Sequence, residues 1–293
     1  MTIKNRYDFV ALFDVENGNP NGDPDAGNMP RIDIETGYGL ITDVCLKRKI
    51  RNYVDLCKAG DPKNQILVKS DKSLNAKYKD AYDALGLETG KKEKDMTTPE
   101  VVKARNFMCE HYYDVRTFGF VMSTGDDPCG IVRGPVQINF ARSLSPVSPQ
   151  DVTITRQART TEERAKSGET EMGRKAIIPY GLYRVEGYVS AASAEKTGFS
   201  DDDIELLWTA IMNMFEEDHS AARGKMCMRK LYVFKHENRL GDCPSHILFD
   251  KIKVTQKTDD PPRSIDDYVI DVENINVNGV TLTEMVENKT FSD

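Results

Sequence analysis

Apolar and aromatic residues occupy nearly every position of "YDFVALFDV" (7–15), which predicts a strand buried on both faces. A loop follows, "ENGNPNGDPDAGN" (16–28), and then an irregular Gly-marked stretch. From 42 to 57 the period changes. Val44, Leu46, Ile50, Val54 and Cys57 recur mostly at spacings of three or four, which gives one apolar helix face. Thr42 or Asp43 is placed to cap that helix, and Gly60 and Pro62 end it. Residues 61–112 are polar, with two helical pieces, "NAKYKDAYDALG" and "TPEVVKARNFMCEHYYD", joined by an exposed "ETGKKEKDMTT". Strand patterns resume at 114–122 and 131–144, where Val132, Gly134, Val136, Ile138 and Phe140 fall on one face. "SPVSPQ" breaks the chain, and 151–179 is too polar to bury much. Tyr183, Val185, Gly187 and Val189 alternate in a strand at 180–193. The clearest helix is 199–220, capped by Ser200, with acids in its first turn. Its stripe is Ile204, Leu207, Trp208, Ile211, Phe215 and His219. A strand at 227–238, short strands at "ILFDKIKV" and "DYVIDV", and a tail helix at "TLTEMVEN" complete the chain.

Without 61–112 and 151–179 the order is βαββαβ. The predicted fold class is α+β, a modified ferredoxin-like (RRM-like) palm. Residues 1–60, 113–150 and 180–293 would form this palm, 61–112 a helical insertion, and 151–179 an arm. Neither palm strand carries the aromatic signature of an ordinary RNA-recognition motif, so base stacking on the sheet is not expected.

The loop imitates a calcium cage. Asn17, Asn19, Asn21, Gly22, Asp23, Asp25 and Asn28 fall at positions 1, 3, 5, 6, 7, 9 and 12 of an EF-hand loop. Position 1 is not Asp, position 12 lacks the bidentate Glu, and a strand precedes the loop where a helix is required. Turn chemistry explains the composition better, so flexible backbone is expected here and no metal. The six cysteines and four histidines show no CxxC or HxxxH spacing, so neither a zinc site nor a disulfide framework is predicted. No GxSxG, Walker or dinucleotide fingerprint is present, and no cofactor is expected. Asp14, Asp33 and Asp43 flank the loop and are the candidate acids for RNA hydrolysis.

With 293 residues, 39% of them hydrophobic, the chain has the composition of a globular protein. No stretch reaches the roughly 20 apolar residues of a membrane span, and the N-terminus lacks a signal-peptide core. A cytoplasmic protein with no membrane partner is expected. The net charge of −7 argues against a polyanion partner until its distribution is read. Residues 41–60 carry Lys47, Arg48, Lys49, Arg51 and Lys58 against Asp43 and Asp55, a local balance of +3. Lys47 and Arg51 are four apart and share a helix face beside Arg48. That pattern can follow a phosphate backbone without reading sequence. The arm holds Arg156, Arg159, Arg164, Lys166, Arg174 and Lys175 against five acids, and reads either as a disordered loop or as a hairpin that orders only against a partner.

Two stretches carry a resemblance: "RYDFVALFDVENGNPNGDPDAGNMPRIDIETGYGLITDVCLKRKIRNYV" and "GPVQINFARSLSPV". Over essentially its whole length the chain resembles the backbone subunit of the CRISPR surveillance complex Cascade, in the RAMP superfamily, and most closely the type I-C form. The run Leu46-Lys47-Arg48-Lys49-Ile50-Arg51 matches the Leu/Trp-Lys-Arg-x-Ile/Leu-Arg motif of that group. The resemblance implies a palm, helical fingers at 61–112 and a thumb at 151–179. It implies a non-catalytic scaffold that stacks head to tail with further copies of itself along one CRISPR RNA, kinks it periodically, and presents it to target DNA. The other Cascade subunits (large, small and crRNA-processing) would be its partners. Lys47, Arg48 and Arg51 would hold guide phosphates, Asn19, Asn21 and Arg31 would be loop contacts, and Met172, with Arg156, Arg174 and Lys175 nearby, would wedge at the kink. RNA-targeting relatives cut RNA with a loop Asp, and Asp33 is the corresponding candidate for an endonuclease alternative.

Overall fold

The computed structural model describes residues 1–90, 97–156, 171–274 and 276–286, without the side chains of Arg156 and Glu171. The expected link "ETGKKEKDMTT" lies partly outside these residues. So do the central part of the arm and the end of "TLTEMVEN".

In chain order the strands are β1 (Tyr7–Gly18), β2 (Gly22–Asp23), β3 (Met29–Pro30), β4 (Tyr38–Ile41), β5 (Gly119–Met122), β6 (Gly130–Arg133), β7 (Val136–Ile138), β8 (Ala141–Pro146), β9 (Gln150–Arg156), β10 (Glu171–Val189), β11 (Lys225–His236), β12 (Ile252–Gln256), β13 (Tyr268–Val272) and β14 (Val280–Glu284). The helices are α1 (Asp43–Cys57), α2 (Leu74–Leu85), α3 (Pro99–His111), α4 (Tyr113–Phe118), α5 (Ala191–Thr197), α6 (Asp201–Asn213) and α7 (Ser245–Phe249). Eight strands form one antiparallel sheet in the order β14-β11-β1-β10-β8-β4, with β7 and β9 also paired to β10.

The near-continuous apolar run of β1 is explained by its place between β10 and β11, where both faces are covered. On one face Phe9, Ala11, Phe13 and Val15 pack with Leu46, Ile50 and Val54 of α1 and with Ile204, Leu207, Trp208 and Ile211 of α6. On the other, Val10 and Leu12 join Tyr180, Leu182, Tyr232, Phe234, Leu248, Phe249 and Tyr268. Phe9 lies opposite Gly187, and a Cβ there would come within 2.2 Å of its ring, so only glycine fits. Thr42 caps α1 by accepting from the Cys45 N–H at 3.3 Å. Ser200 caps α6 in a reciprocal box with Asp203.

A second cluster is separate from the sheet. It joins Leu67, Tyr78, Ala81 and Tyr82 to Ala104, Met108 and Cys109, and runs on past residue 112 through Val115 and Met122 to Val132.

Several expectations fail for tertiary reasons. The predicted strand 114–122 begins as helix α4, because Asp114 and Arg116 point to distant partners: Asp114 accepts from Leu67 N (2.8 Å) and Arg116 pairs with Asp203 (2.7 Å). Only 119–122 is strand, after Gly119 at φ +78°. "ILFDKIKV" divides into the end of α7 and the strand β12. "TLTEMVEN" supplies β14, a strand and not a helix, because Val280–Glu284 pairs along β11. Phe140 turns outward to solvent. Helix α6 ends at Asn213, which leaves His219 exposed and outside the stripe. On α1, Val44 and Cys57 are exposed, while Lys49 and Arg51 are buried in their stead. Among the described residues no helix is long and apolar enough to cross a membrane.

Candidate nucleic-acid interface

The Asn/Gly loop is pinned rather than flexible. Its second half forms, with Met29–Pro30, the short β2–β3 pair around a one-turn helix, with Gly27 and Asn28 in left-handed backbone. Asn19 N–H donates to Ala222 O at 2.8 Å, and Asn19 Nδ2 to Asn28 O at 2.7 Å. Asn21 Oδ1 accepts from both the N–H and the hydroxyl of Thr42, each at 3.0 Å, so it ties the loop to the start of α1. Asn and Gly are there because the turns need them, and the resulting bonds remove the expected freedom.

Pinned in this way, the loop forms one wall of an open groove of about 560 Å³. The other walls are the first two turns of α1 and the 218–223 segment after α6. Four of the six expected palm and loop contacts meet here: Asn19, Asn21, Arg31 and Arg48. Lys49 and Arg223 add two cations, and Asp218 is the one carboxylate that the described residues place in the lining. Arg48 is exposed, with its Nε donating to Asn52 Oδ1 at 3.3 Å. Arg31 pairs with Asp23 at 3.4 Å. Two atoms of the wall, Asn19 Oδ1 and Arg31 Nε, are buried without a hydrogen-bond partner among the described residues. Buried polar atoms are rarely left this way. Val44, 64% exposed, leaves an apolar spot between the charges. An open, cationic groove suits a linear polyanion better than a small molecule.

Lys47 and Arg51 do not join this groove. Arg51 is a correction: it is buried, its Nε donates to Asp114 Oδ2 at 2.8 Å, and its guanidinium stacks 5.3 Å from the Phe118 ring centre. A helix turns about 100° per residue, so the Lys47/Arg51 face is not the Arg48 face. Lys47 lies mostly covered, paired with Asp43 at 2.8 Å and 5.7 Å from the centre of the same ring.

The arm strands β9 and β10 pair from Gln150↔Ile177 to Arg156↔Glu171. Met172 is 76% exposed, and Arg174 reaches Asp151 at 3.5 Å. Lys175 Nζ donates to Ala221 O at 3.2 Å and so touches the loop that forms the groove's third wall. The side chain of Arg156 lies outside the described residues.

The three candidate acids are all engaged. Asp14 is buried and accepts from Tyr180 Oη (3.1 Å) and Arg229 Nε (2.8 Å). Asp43 holds Lys47. Asp33 meets Arg142 at 2.9 Å and does not line the groove. The Thr36 hydroxyl first, then the Glu35 and Thr36 amides and Arg142, hold its carboxyl below the usual range. Arg223 was missed by sequence reasoning. The turn "AARGK" between α6 and β11 was its only local sign.

The fold has counterparts among solved structures. A chain of a CRISPR RNA-guided surveillance complex in its pre-nicking state superposes with a TM-score of 0.50, at 14% identity, covering 78% of each chain. A chain of another CRISPR RNA-guided surveillance complex gives 0.45 at 15% identity over 78% of this chain and 68% of that one. The family model described as CRISPR-associated protein Cas7 matches residues 5–273, and the chain belongs to this family. A curated relative from Haloferax volcanii, "CRISPR-associated protein Cas7", is 27% identical over 292 residues, covering 93% of this chain and 82% of its own.

Proposed function

We propose that this Cas7-family protein is a non-catalytic scaffold that binds CRISPR RNA within an interference complex. The observation that carries the reading is the groove: among the described residues, four cations against one carboxylate, in a chain of this family. Phosphates of a guide strand would run along Arg31, Arg48 and the loop, leaving base edges free to pair with target DNA.

The strand order β11-β1-β10-β8, with α1 and α6 on one face, supports the ferredoxin-like palm. The β9–β10 hairpin would be the thumb, with Met172 and Arg174 acting at the kink. Residues 61–112, with the 113–133 stretch that completes their core, would be the finger. Further copies stacked head to tail and the large, small and processing subunits of a type I-C complex would be the partners. Asp33, tied to Arg142 outside the groove, favours the scaffold over the endonuclease.

The test is RNA binding by the Arg31→Ala/Arg48→Ala double variant. Each phosphate contact on a single strand adds about 0.7 to the slope of log K against log salt. Losing two contacts lowers that slope by about 1.4 and weakens binding alike for unrelated guide sequences. Unchanged affinity and slope refute the groove's role. Guide-directed cutting of complementary RNA with Mg²⁺, lost in Asp33→Ala, would establish the endonuclease instead.

A further inference from the structure

The loop between α6 and β11 sets one carboxylate between two cations of the groove. Asp218 Oδ2 ion-pairs with Lys49 Nζ, and Asp218 Oδ1 lies 2.5 Å from Arg223 Nη1. The same Nη1 donates to the Asp218 carbonyl at 3.4 Å. Lys49 is only 4% exposed and is rooted in α1, so it is a fixed post. The backbone is equally fixed: Arg223 N–H bonds to Ser220 O at 3.1 Å, and the Arg223 carbonyl presses so closely on Gly18 that a Cβ there would lie 1.8 Å from it. Both bonds use one corner of the guanidinium. Nε and Nη2 of Arg223 have no partner among the described residues, and the side chain lines the groove, partly exposed.

We infer that Arg223 is a phosphate-binding residue of the groove and that Asp218, anchored by Lys49, is its positioning residue. This rests on the RNA-binding reading above. Two effects of Asp218 compete. Its negative charge repels a polyanion, while its grip removes rotamer freedom that Arg223 would otherwise lose on binding. The charge is already shared between two cations and largely covered, so the trio presents a net +1 in the wall of the groove. Positioning therefore outweighs repulsion. A guanidinium held by one corner keeps the two-donor edge that matches a phosphate.

The full chain is titrated with a short labelled single-stranded RNA at several salt concentrations. Arg223→Ala weakens binding roughly tenfold and lowers the salt slope by about 0.7. Asp218→Ala also weakens binding, roughly five- to tenfold by the same reasoning, although it makes the protein one charge more positive. The double variant is no weaker than Arg223→Ala alone, because the two residues act as a unit. Asp218→Asn, which keeps an acceptor oxygen in place, is measured beside it to separate folding loss from positioning, and falls between wild type and Asp218→Ala. An Asp218 variant that binds more tightly, with a steeper salt slope, overturns the inference, because that is the result of charge removal alone. So does an Arg223→Ala variant unchanged in affinity and slope while Arg31→Ala/Arg48→Ala loses both. A wild-type chain that shows no salt-dependent RNA binding overturns the parent reading, and this one with it.

Discussion

Replacing Arg51 separates a structural cation from a ligand-binding one. The Arg51–Asp114 pair is buried, and Asp114 also accepts from Leu67 N at 2.8 Å and Val68 N at 3.1 Å. One carboxylate thus joins α1, the 67–68 segment and α4. Arg51→Ala leaves that carboxylate with two N–H donors and no counter-charge. Removing one partner of a buried pair costs about 3–5 kcal/mol. The two remaining bonds put the cost at the lower end, and the lost contact with Phe118 adds to it. For a chain of this size about 3 kcal/mol is a fall of roughly 5 °C in melting temperature. Thermal unfolding followed by circular dichroism measures it. RNA affinity, determined well below the transition, stays within about twofold of wild type, since neither atom lines the groove. A variant that melts like wild type yet loses RNA would refute this assignment and restore Arg51 as a phosphate contact.

Other perturbations test the packing and the charges. Gly187→Ala forces a methyl into the Phe9 ring, itself wedged edge-on against Trp208 at 5.4 Å, and destabilises by about 3 kcal/mol, the upper end for overpacking. An unchanged unfolding midpoint in denaturant would show that the ring can yield. Glu273 is bound by Lys253 and by Lys251, which lowers its carboxyl from the ordinary 4.5 to about 2. A lowered folded pKa gives stability that is full above pH 4.5 and lost as pH falls toward 2. Glu273→Gln therefore melts below wild type at pH 6, and the gap closes progressively below pH 4.5. A gap independent of pH would show that the ion pairs contribute nothing.

What could be read in advance was local chemistry. The apolar run of β1, the caps at Thr42 and Ser200, and the helical spacing of α1, α2, α3 and α6 all depend on neighbours within a few residues. What could not be read depended on distant partners. Lys49 and Arg51 look like solvated charges until their acids appear 169 and 63 residues away. The segment 114–118 has a strand's composition, but Asp114 and Arg116 serve the core better from a helix. β14 needs β11 to be a strand at all. The groove was half legible for the same reason. Asn19, Asn21, Arg31 and Arg48 stand near one another in sequence, whereas Arg223 arrives from the turn before β11, far along the chain.

β10 serves two parts of the molecule at once. Its first seven residues pair with β9 in the arm, and from Ile178 onward it lies against β1 in the middle of the palm. Nineteen extended residues span about 60 Å. The arm is therefore a cantilever clamped at its root, with no hinge between the two pairings. A load on Met172 is carried into the register of β1 and does not dissipate at a joint. The reach of the described part of the arm from the palm is therefore set by the length of one continuous ribbon.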